Sequence, residues 1–318
     1  MQGRTTNPRR ITEVNIMSVN LQRWSTAACL SLVMLQPAEG QTTDLIAEGA
    51  ELQRYPGEFA FLEGPVADAA GNLYFTDIDN NRIHALSPDG TLTVLREPSN
   101  YANGLTLDAE GNLIICEQSA QRVTLLDPQG NYRILADSYD GRPFNSPNDA
   151  WVDPRGGIYF TDPRYRYPEG EPSQDGEHVY YISPDGDTVT RVVSSLNKPN
   201  GIIGTEDGRV LYVADTALRK VFRYEIGGDG RVSGQREFAD QGSDGMTLDE
   251  KGNVYLTWVG GVSIRNPDGE QIAFIETPQM PANVGFGGAD GKTLYITART
   301  GLYFIPMAVT ASRPHPRR

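Results

Sequence analysis

The sequence predicts an all-β protein with the architecture of a six-bladed β-propeller. One segment type recurs six times, each copy has the pattern of two strands joined by a turn, and a second hairpin follows most copies. Four strands per repeat, with copies 39 to 52 residues apart, are typical of a propeller blade. Two unrelated β-sandwiches are the alternative, but they would not explain the common register of the six copies.

The repeated segment is a strand, an Asp/Gly turn and a β-rich apolar strand, as in "DAAGNLYFTD" (68–77) and "DPRGGIYFTD" (153–162). Glycine suits this turn because it tolerates a positive φ angle. The six turn glycines set the register of the repeats, and they are Gly71, Gly111, Gly156, Gly208, Gly252 and Gly291.

The second hairpin is present in five repeats, beginning with "RIHALSPDGTLTVL" (82–95). The sixth repeat ends early, with "GLYFIPM" (301–307) as its third strand. An outer strand near "AELQRYP" (50–56) is predicted to complete this blade. Such a closure would remove the open edge of the sheet.

Three parts are expected along the chain: an N-terminal extension with a secretory signal (1–40), the propeller (41–308) and a short basic tail (309–318). The formal net charge of −13 argues against binding to nucleic acid, whose phosphates require clustered Lys and Arg. The same acidity suits the binding of cations.

The secretory signal is predicted from Arg23 and the apolar run "WSTAACLSLVML" (24–35) that follows it. This run is too short to span a bilayer, and the small residues of "PAEG" come after it. Cleavage near Gly40 would deliver a periplasmic or secreted protein with no membrane segment. Met17 is an alternative start to Met1.

An oxygen-bearing side chain stands eight residues before each turn glycine, where the first strand of each blade begins. First strands line the central channel of a propeller, so these six positions are predicted to form a ring at one mouth. Asn and Asp also favour turns, and one of them alone would more often mark a turn. Six aligned oxygen donors favour the ring, which comprises Glu63, Asn103, Asn148, Asn200, Asp244 and Asn283.

This ring predicts a metal site at the mouth of the channel, because hard cations take carboxylate and amide oxygens as ligands. Glu63 and Asp244, with the amides of Asn148 and Asn200, would suit Ca²⁺. Mg²⁺ and Mn²⁺ are alternatives, and Zn²⁺ is less natural because the ring has no Cys or His.

Other hydrolase machinery is not expected. The sequence has no G-x-S-x-G motif, so a nucleophile elbow is absent. His84 and His178 fall on outer hairpins and His315 in the tail, and all three are interpreted as surface residues, so a Ser-His-Asp triad is not expected. After removal of the signal only Cys116 remains, so neither an intramolecular disulfide nor a cysteine metal cluster is expected.

Two further features have more than one interpretation. Four second strands end in an acid, and these acids either orient the Asn ligands, raise the negative potential at the mouth, or only make turn hydrogen bonds. The segment 163–177 is either a lid that brings Arg164, Tyr165 or Tyr167 to a substrate or a solvated loop. The four acids are Asp77, Glu117, Asp162 and Asp215.

The runs "FLEGPVAD", "SPNDAWVD", "KPNG", "SDGMTLDEKGN" and "GGADGKTLYITARTGLY" resemble the gluconolactonase and senescence marker protein (regucalcin) family over about residues 45–307. The resemblance implies a six-bladed propeller with one divalent metal bound by Glu63, Asn148, Asn200 and Asp244. It also implies that Asp244 is the catalytic acid/base or nucleophile and that Asn148 touches substrate.

The expected activity is therefore a metal-dependent hydrolase that opens sugar lactones to aldonic acids, with Asn103, Asn148 and Asn283 as substrate-binding residues. One alternative is a non-catalytic propeller that binds Ca²⁺ or a partner protein. Another is a phosphotriesterase of the diisopropyl fluorophosphatase type, which shares the architecture. The chain has no match for that enzyme's histidine, and "FNSPND" lacks the arginine of the animal relatives, so it is most similar to bacterial gluconolactonase-like members.

Overall fold

The computed structural model describes residues 44–165 and 173–312, which form six four-stranded antiparallel sheets and one short hairpin. Each sheet is one blade. The innermost strands of successive blades contact one another in a closed circle, because the first strand of blade 6 also packs against that of blade 1. The predicted six-bladed propeller is confirmed.

The strands of blades 1 to 3 follow chain order from the channel outward. Blade 1 contains β2 (Leu62–Ala67), β3 (Leu73–Asp77), β4 (Arg82–Leu86) and β5 (Leu92–Arg96). Blade 2 contains β6 (Ala102–Leu107), β7 (Leu113–Glu117), β8 (Arg122–Leu126) and β9 (Tyr132–Ala136). The hairpin of β10 (Ser138–Tyr139) and β11 (Arg142–Pro143) precedes blade 3, which contains β12 (Ala150–Val152), β13 (Ile158–Asp162), β14 (His178–Ile182) and β15 (Val189–Val193).

Blades 4 and 5 repeat this order, and blade 6 is completed from the N-terminal side. Blade 4 contains β16 (Pro199–Gly204), β17 (Val210–Asp215), β18 (Lys220–Ile226) and β19 (Val232–Ala239). Blade 5 contains β20 (Met246–Leu248), β21 (Val254–Trp258), β22 (Gly261–Arg265) and β23 (Gln271–Glu276). Blade 6 contains β24 (Asn283–Gly287), β25 (Thr293–Ala298), β26 (Gly301–Pro306) and β1 (Gln53–Arg54).

The ring of blades is closed by β1, which pairs antiparallel with β26 through Gln53 opposite Phe304 and Arg54 opposite Tyr303. A bridge between Ile46 and Met307 extends this contact. The predicted outer strand near residues 50–56 is therefore confirmed. Pairing satisfies the backbone groups of β26 that an open edge would expose.

The turn chemistry follows the prediction from the repeats. All six turn glycines adopt positive φ angles, between +66° and +92°, a conformation that costs other residues steric strain. In blade 1 the amide of Gly71 donates to the carbonyl of Asp68, and the Asp68 carboxylate accepts the amide of Asn72. The Asp/Gly pair thus fixes the turn between the first and second strands.

The core lies between neighbouring blades, where apolar side chains of two sheets interdigitate. The cluster between blades 3 and 4, for example, joins Trp151 and Tyr159 to Leu211 and Val213. The rings of Trp151 and Tyr159 stack with their centroids 5.7 Å apart. Each blade therefore depends on its neighbours for its buried surface, which favours a closed circle over separate sheets.

The expectation that His84 and His178 are surface residues is wrong, since both are only 6% exposed. Both lie on third strands, which pack between blades. His84 stacks on Phe75 with ring centroids 5.2 Å apart, and the His178 Nε2 lies 2.9 Å from an oxygen of Asp175. Cys116 is also fully buried, as a free thiol.

The predicted signal (1–40) lies outside the described residues and stays a prediction, as does the localisation that depends on it.

Residues 309–312 of the predicted tail pack on the propeller: Val309 is buried, and Ala311 bridges to Asp249. In the part of the chain that the structure describes, no helix has the length and apolar character needed to cross a membrane.

Candidate functional site

The six predicted ring residues all lie at the start of a first strand or within two residues of it. Five of them are at most 6% exposed, while Asp244 keeps partial access to the channel. Strand pairing is irregular at the ring in blades 1, 2 and 4, with a register shift beginning at or beside Glu63, Asn103 and Asn200. β-Bulges of this kind re-aim side chains and are common beside functional sites.

Glycines hold the ring together, because four of the six ring residues are followed by one. A Cβ atom on Gly64, Gly104, Gly201 or Gly245 would lie 2.0 to 2.6 Å from an atom of the next blade's ring residue. Because glycine has no side chain at these positions, the innermost strands can approach each other closely. These glycines thus serve close approach between blades, and the two Asn-Gly pairs lie within the first strands of blades 2 and 4 and not in turns.

A layer of buried threonines on the second strands fixes the backbone of the ring. Thr76 donates its hydroxyl to the carbonyl of Asn103 at 2.9 Å, and Thr297 donates to the carbonyl of Asn283 at 3.2 Å. The Thr257 hydroxyl accepts the amide of Asp244 at 3.1 Å. The ring positions are therefore rigidly supported from behind.

A cavity of about 550 Å³ opens above the ring. Its floor includes Glu63, Asn103, Asn148, Asn200 and Asp244, so the structure brings five of the six predicted ring residues to one surface. Its walls are mixed in character. Apolar surface comes from Phe61 and Ile78, and polar groups come from Asp79, Gln118 and Tyr165.

The sixth ring residue, Asn283, lies deeper in the channel. It hydrogen-bonds with the side chains of Glu63 and Asp149, and its Oδ1 accepts the amide of Val284 at 2.8 Å. It is not part of the cavity lining above the ring. This placement favours the orientation of Glu63 as its role over direct contact with a substrate.

Asp149 is a buried acid that the sequence analysis did not single out. It follows the ring residue Asn148, where four other blades have glycine, and its Oδ1 occupies the space beside Gly104. Burial raises the pKa of Asp149 to about 7. Its signal in the sequence was the departure from the glycine pattern immediately after the ring.

The two ring carboxylates share a desolvated environment. Burial raises the pKa of Glu63 well above its ordinary value, and the negative charge of Asp244 raises it further. Burial likewise raises the pKa of Asp244 to about 6, although a hydrogen bond from Asn200 and the positive charge of Arg299 act in the opposite direction. The Asn200 amide nitrogen lies 2.7 Å from Asp244 Oδ1.

The donor set fits a hard divalent cation. The cavity floor has two carboxylates whose negative charges repel each other, beside three amides. This is the composition of a calcium site. Neither His nor Cys is among the described residues that line the cavity. Nor do the described residues contain a group of three or more His, Cys, Asp or Glu arranged as metal ligands, so the amide oxygens would be essential to any cation site here.

The acids that end the second strands act mainly on the backbone ahead of the ring. Asp77 accepts the amides of Ala60 and Phe61, which precede Glu63 by three and two residues. The corresponding amides in blade 3 donate to Asp162 at 2.8 and 2.7 Å, and those in blade 4 donate to Asp215 at 2.6 and 3.3 Å. In blade 2, Glu117 accepts the side-chain amide of Asn100. These hydrogen bonds hold the backbone segments that lead into the ring residues, and none of the bonds described here joins one of these acids to a ring side chain.

Of the proposed lid residues, Tyr165 lines the cavity, and its hydroxyl lies 3.0 Å from the Asn200 amide nitrogen. Arg164 turns away and donates to the carbonyl of Gln174 at 2.6 Å. Tyr167 lies outside the described residues. Gln118 was not predicted, although it stands directly after Glu117, and the equivalent residue of blade 1, Ile78, also lines the cavity.

Comparisons with known proteins show which family the chain is similar to. A gluconolactonase from Zymomonas mobilis is 30% identical over 274 residues, covering 76% of this chain and 77% of its own length. A pentonolactonase from Haloferax volcanii is 28% identical over 254 residues, covering 75% of this chain and 81% of its own length.

A solved structure of a gluconolactonase from Xanthomonas campestris superposes with a TM-score of 0.78 at 29% identity, covering 82% of this chain and 91% of that one. The sequence pattern of the SMP-30/gluconolactonase/LRE-like region matches residues 61–300, most of the described propeller. The resemblance inferred from the repeats is thereby confirmed, and this chain belongs to the SMP-30/gluconolactonase/LRE-like family.

Proposed function

We propose that this protein is a metal-dependent lactonase that hydrolyses sugar lactones to aldonic acids. The observation that carries the proposal is the open cavity above a ring that combines one buried and one partly exposed carboxylate with amides. A closed shell of ligands would suit a structural cation, whereas an open floor leaves space for a substrate. The gluconolactonase and pentonolactonase relatives support lactones as the substrate class.

Glu63, Asn148, Asn200 and Asp244 are the residues that would hold a divalent cation, with Ca²⁺ the best match to their oxygen donors. When bound, such a cation supplies positive charge that polarises a carbonyl oxygen and stabilises negative charge developing on it. The chain's own negative charge at the ring favours a cation over an anion at this position.

Asp244 is assigned the proton transfer, because it is the more exposed of the two ring carboxylates that line the cavity. Its carboxylate would take a proton from the water that adds to the lactone carbonyl. When the C–O bond of the lactone then breaks, the protonated Asp244 returns its proton to the departing alkoxide. The product is the open-chain aldonic acid with a free hydroxyl group. A raised pKa, about 6, suits a group that both accepts and returns a proton near neutral pH.

The remaining cavity residues would position the substrate. Asn103 and Asn148 present amides on the floor, and Gln118 presents another from the wall. The Gln118 side chain makes no hydrogen bond within the described part of the chain, which leaves its amide available for a sugar hydroxyl. Phe61 and Ile78 provide an apolar wall that limits access of bulk water.

The test is to measure the hydrolysis of a panel of aldono-lactones in a pH-stat, once with added Ca²⁺ and once with chelator. We expect turnover that chelation abolishes and added metal restores. A phosphotriesterase would instead hydrolyse a fluorophosphate ester in preference to every lactone. A non-catalytic propeller would bind Ca²⁺ by calorimetry without turnover of either class, and either result would overturn the proposal.

A further inference from the structure

A second set of six residues surrounds the mouth outside the oxygen ring. Each directly follows the second strand of its blade, where antiparallel pairing returns the chain to the ring face. Two members, Ile78 and Gln118, line the cavity. Five of the six are uncharged and one is a cation: the set is Ile78, Gln118, Pro163, Thr216, Val259 and Arg299.

Arg299 stands beside one wall of the cavity. Its guanidinium carbon lies 5.1 Å from the centroid of the Phe61 ring, and Phe61 lines the cavity. The side chain is exposed, and no ion pair of Arg299 is found within residues 44–165 and 173–312. A cation on an aromatic face is oriented by the ring but not neutralised by it, so its charge stays available at the mouth.

Lys198 repeats this arrangement on another wall. Its ammonium nitrogen lies 4.5 Å from the centroid of the Tyr165 ring, and Tyr165 also lines the cavity. Lys198 donates to the carbonyl of Arg164 at 3.4 Å, and it too lacks a carboxylate partner among the described residues. Two aromatic walls of the cavity therefore each carry an unneutralised cation.

The chain as a whole is acidic, with a net charge of −13. Some cations on other faces are paired with carboxylates, as with Arg155 and Asp153, while others, such as Lys292, have no carboxylate partner among the described residues. Arg299 and Lys198 are distinguished by lying on aromatic side chains that line the cavity. Arg299 also acts on the ring, because its positive charge opposes the rise in the pKa of Asp244. An anionic group on the substrate would find at these cations both long-range attraction and charge-assisted hydrogen bonds.

We propose that the mouth accepts sugar lactones that carry a separate anionic group, a phosphate or a carboxylate, and that Arg299, aided by Lys198, binds this group at the rim. The inference rests on the proposed lactonase function and specifies its substrate class. The lactone ring would lie over Asp244 and Glu63, while the anionic end of the molecule extends to the cationic side of the mouth.

The test compares kcat/KM for three substrates: glucono-1,5-lactone as the neutral probe, 6-phosphoglucono-1,5-lactone as the phosphate probe and glucaro-1,4-lactone as the carboxylate probe. We expect the metal-loaded protein to favour at least one anionic probe over the neutral one at low ionic strength. In Arg299→Gln the ratio of anionic to neutral kcat/KM should fall by roughly fivefold to tenfold, mainly through KM. The matched control is Arg231→Gln, which removes an exposed arginine from an outer turn and should leave the ratio unchanged.

A second readout separates this inference from the lactonase proposal. Calorimetric binding of the products gluconate, 6-phosphogluconate and glucarate measures recognition of the additional anion without turnover. Turnover of the neutral lactone with no preference for either anionic probe, and an unchanged ratio in Arg299→Gln, would overturn the inference while the lactonase proposal stands. Absence of turnover, with 6-phosphogluconate or glucarate binding that weakens in Arg299→Gln, would retain anion recognition and overturn the lactonase proposal. Absence of both would overturn both.

Discussion

Asp244 differs from the other ring residues in its access to the cavity, since the remaining five are at most 6% exposed. This access, together with a pKa raised to about 6, suits a group that exchanges protons with a molecule in the cavity. A substitution of Asp244 that keeps the shape of the side chain and one of its oxygens can therefore separate its role as a metal ligand from its role as a proton carrier.

We expect Asp244→Asn to retain the fold and much of its metal affinity but to lose roughly 10²-fold or more in kcat, the usual scale for a positioned acid/base. The measurement is kcat for a good lactone substrate at saturating Ca²⁺, Mg²⁺, Mn²⁺ and Zn²⁺ in turn. Asp187→Asn, which changes an exposed acid, is the control. Recovery of Asp244→Asn to within about threefold of the parent with any metal would show that Asp244 is only a ligand.

Glu63 is expected to act mainly on the cation, because it is buried at 3% exposure and Asn283 orients its carboxylate. Glu63→Gln keeps the shape but removes one charge, so divalent affinity should fall by roughly tenfold or more. Calcium titration by calorimetry measures this loss. Glu58→Gln makes the same change in net charge at an exposed site and should bind calcium normally. Equal affinities in the two variants would contradict the ring as the metal site.

For individual residues, counting from the turn glycines predicted the ring, because equivalent positions in a repeat occupy equivalent places around the axis. The depth of each side chain in the channel could not be predicted in this way. Asn283 lies beneath the ring and Asp149 beside Gly104, since both positions depend on how closely neighbouring first strands approach. That distance is a tertiary property.

The first strands are the elements that build the site, and their close approach depends on glycine. A Cβ atom on Gly245 would lie 2.0 Å from Asn283 Oδ1, inside the packed channel. We expect Gly245→Ala to destabilise the protein by about 1 to 3 kcal/mol, because the neighbouring ring residue must shift. It should also weaken calcium binding, since the displaced Asn283 contacts Glu63.

Urea denaturation and calcium titration of Gly245→Ala measure these two effects. Gly228→Ala is the matched control, because Gly228 has no heavy atom within 4 Å of its would-be Cβ and lacks a positive φ angle. Its stability should equal or slightly exceed that of the parent, since alanine restricts the unfolded chain. Similar losses in both variants would show that close packing at Gly245 has no special importance.

The four-strand repeat could be predicted because turn chemistry and apolar strands recur with one register. The hairpin β10–β11 could not, since it occurs only between blades 2 and 3. The burial of His84 and His178 was also missed. Their strands were identified correctly, but whether an outer strand faces solvent or the neighbouring blade depends on blade packing, as the stacking of His84 on Phe75 shows.

The whole molecule places two repelling carboxylates at the centre of a closed circle, and the proposed metal binding should therefore depend on pH. Burial raises the pKa of both Glu63 and Asp244, the latter to about 6. Between the unfolded value near 4 and these raised values, the folded protein binds more protons than the unfolded chain. Without metal, the contribution of this pair to stability is therefore largest below about pH 4 and is lost as the pH rises through the folded pKa values.

Calcium should reverse this trend, because it binds the deprotonated carboxylates and competes with protons. We expect apparent calcium affinity to rise from pH 5 to pH 8, and calcium binding to release protons at the lower end of that range. At a free calcium concentration 100 times the dissociation constant, binding adds about 2.7 kcal/mol of stability. At one fixed calcium concentration, the increase in Tm should accordingly be larger at pH 8 than at pH 5.

The measurement is Tm at pH 5, 6, 7 and 8 with chelator and with a fixed calcium concentration, together with calorimetry in two buffers of different ionisation enthalpy to count released protons. Glu63→Gln removes one titrating ligand, so its calcium-induced increase in Tm should be smaller and should depend less on pH. An equal increase in Tm for the parent at pH 5 and pH 8, with no proton release, would show that calcium binds away from the two buried carboxylates.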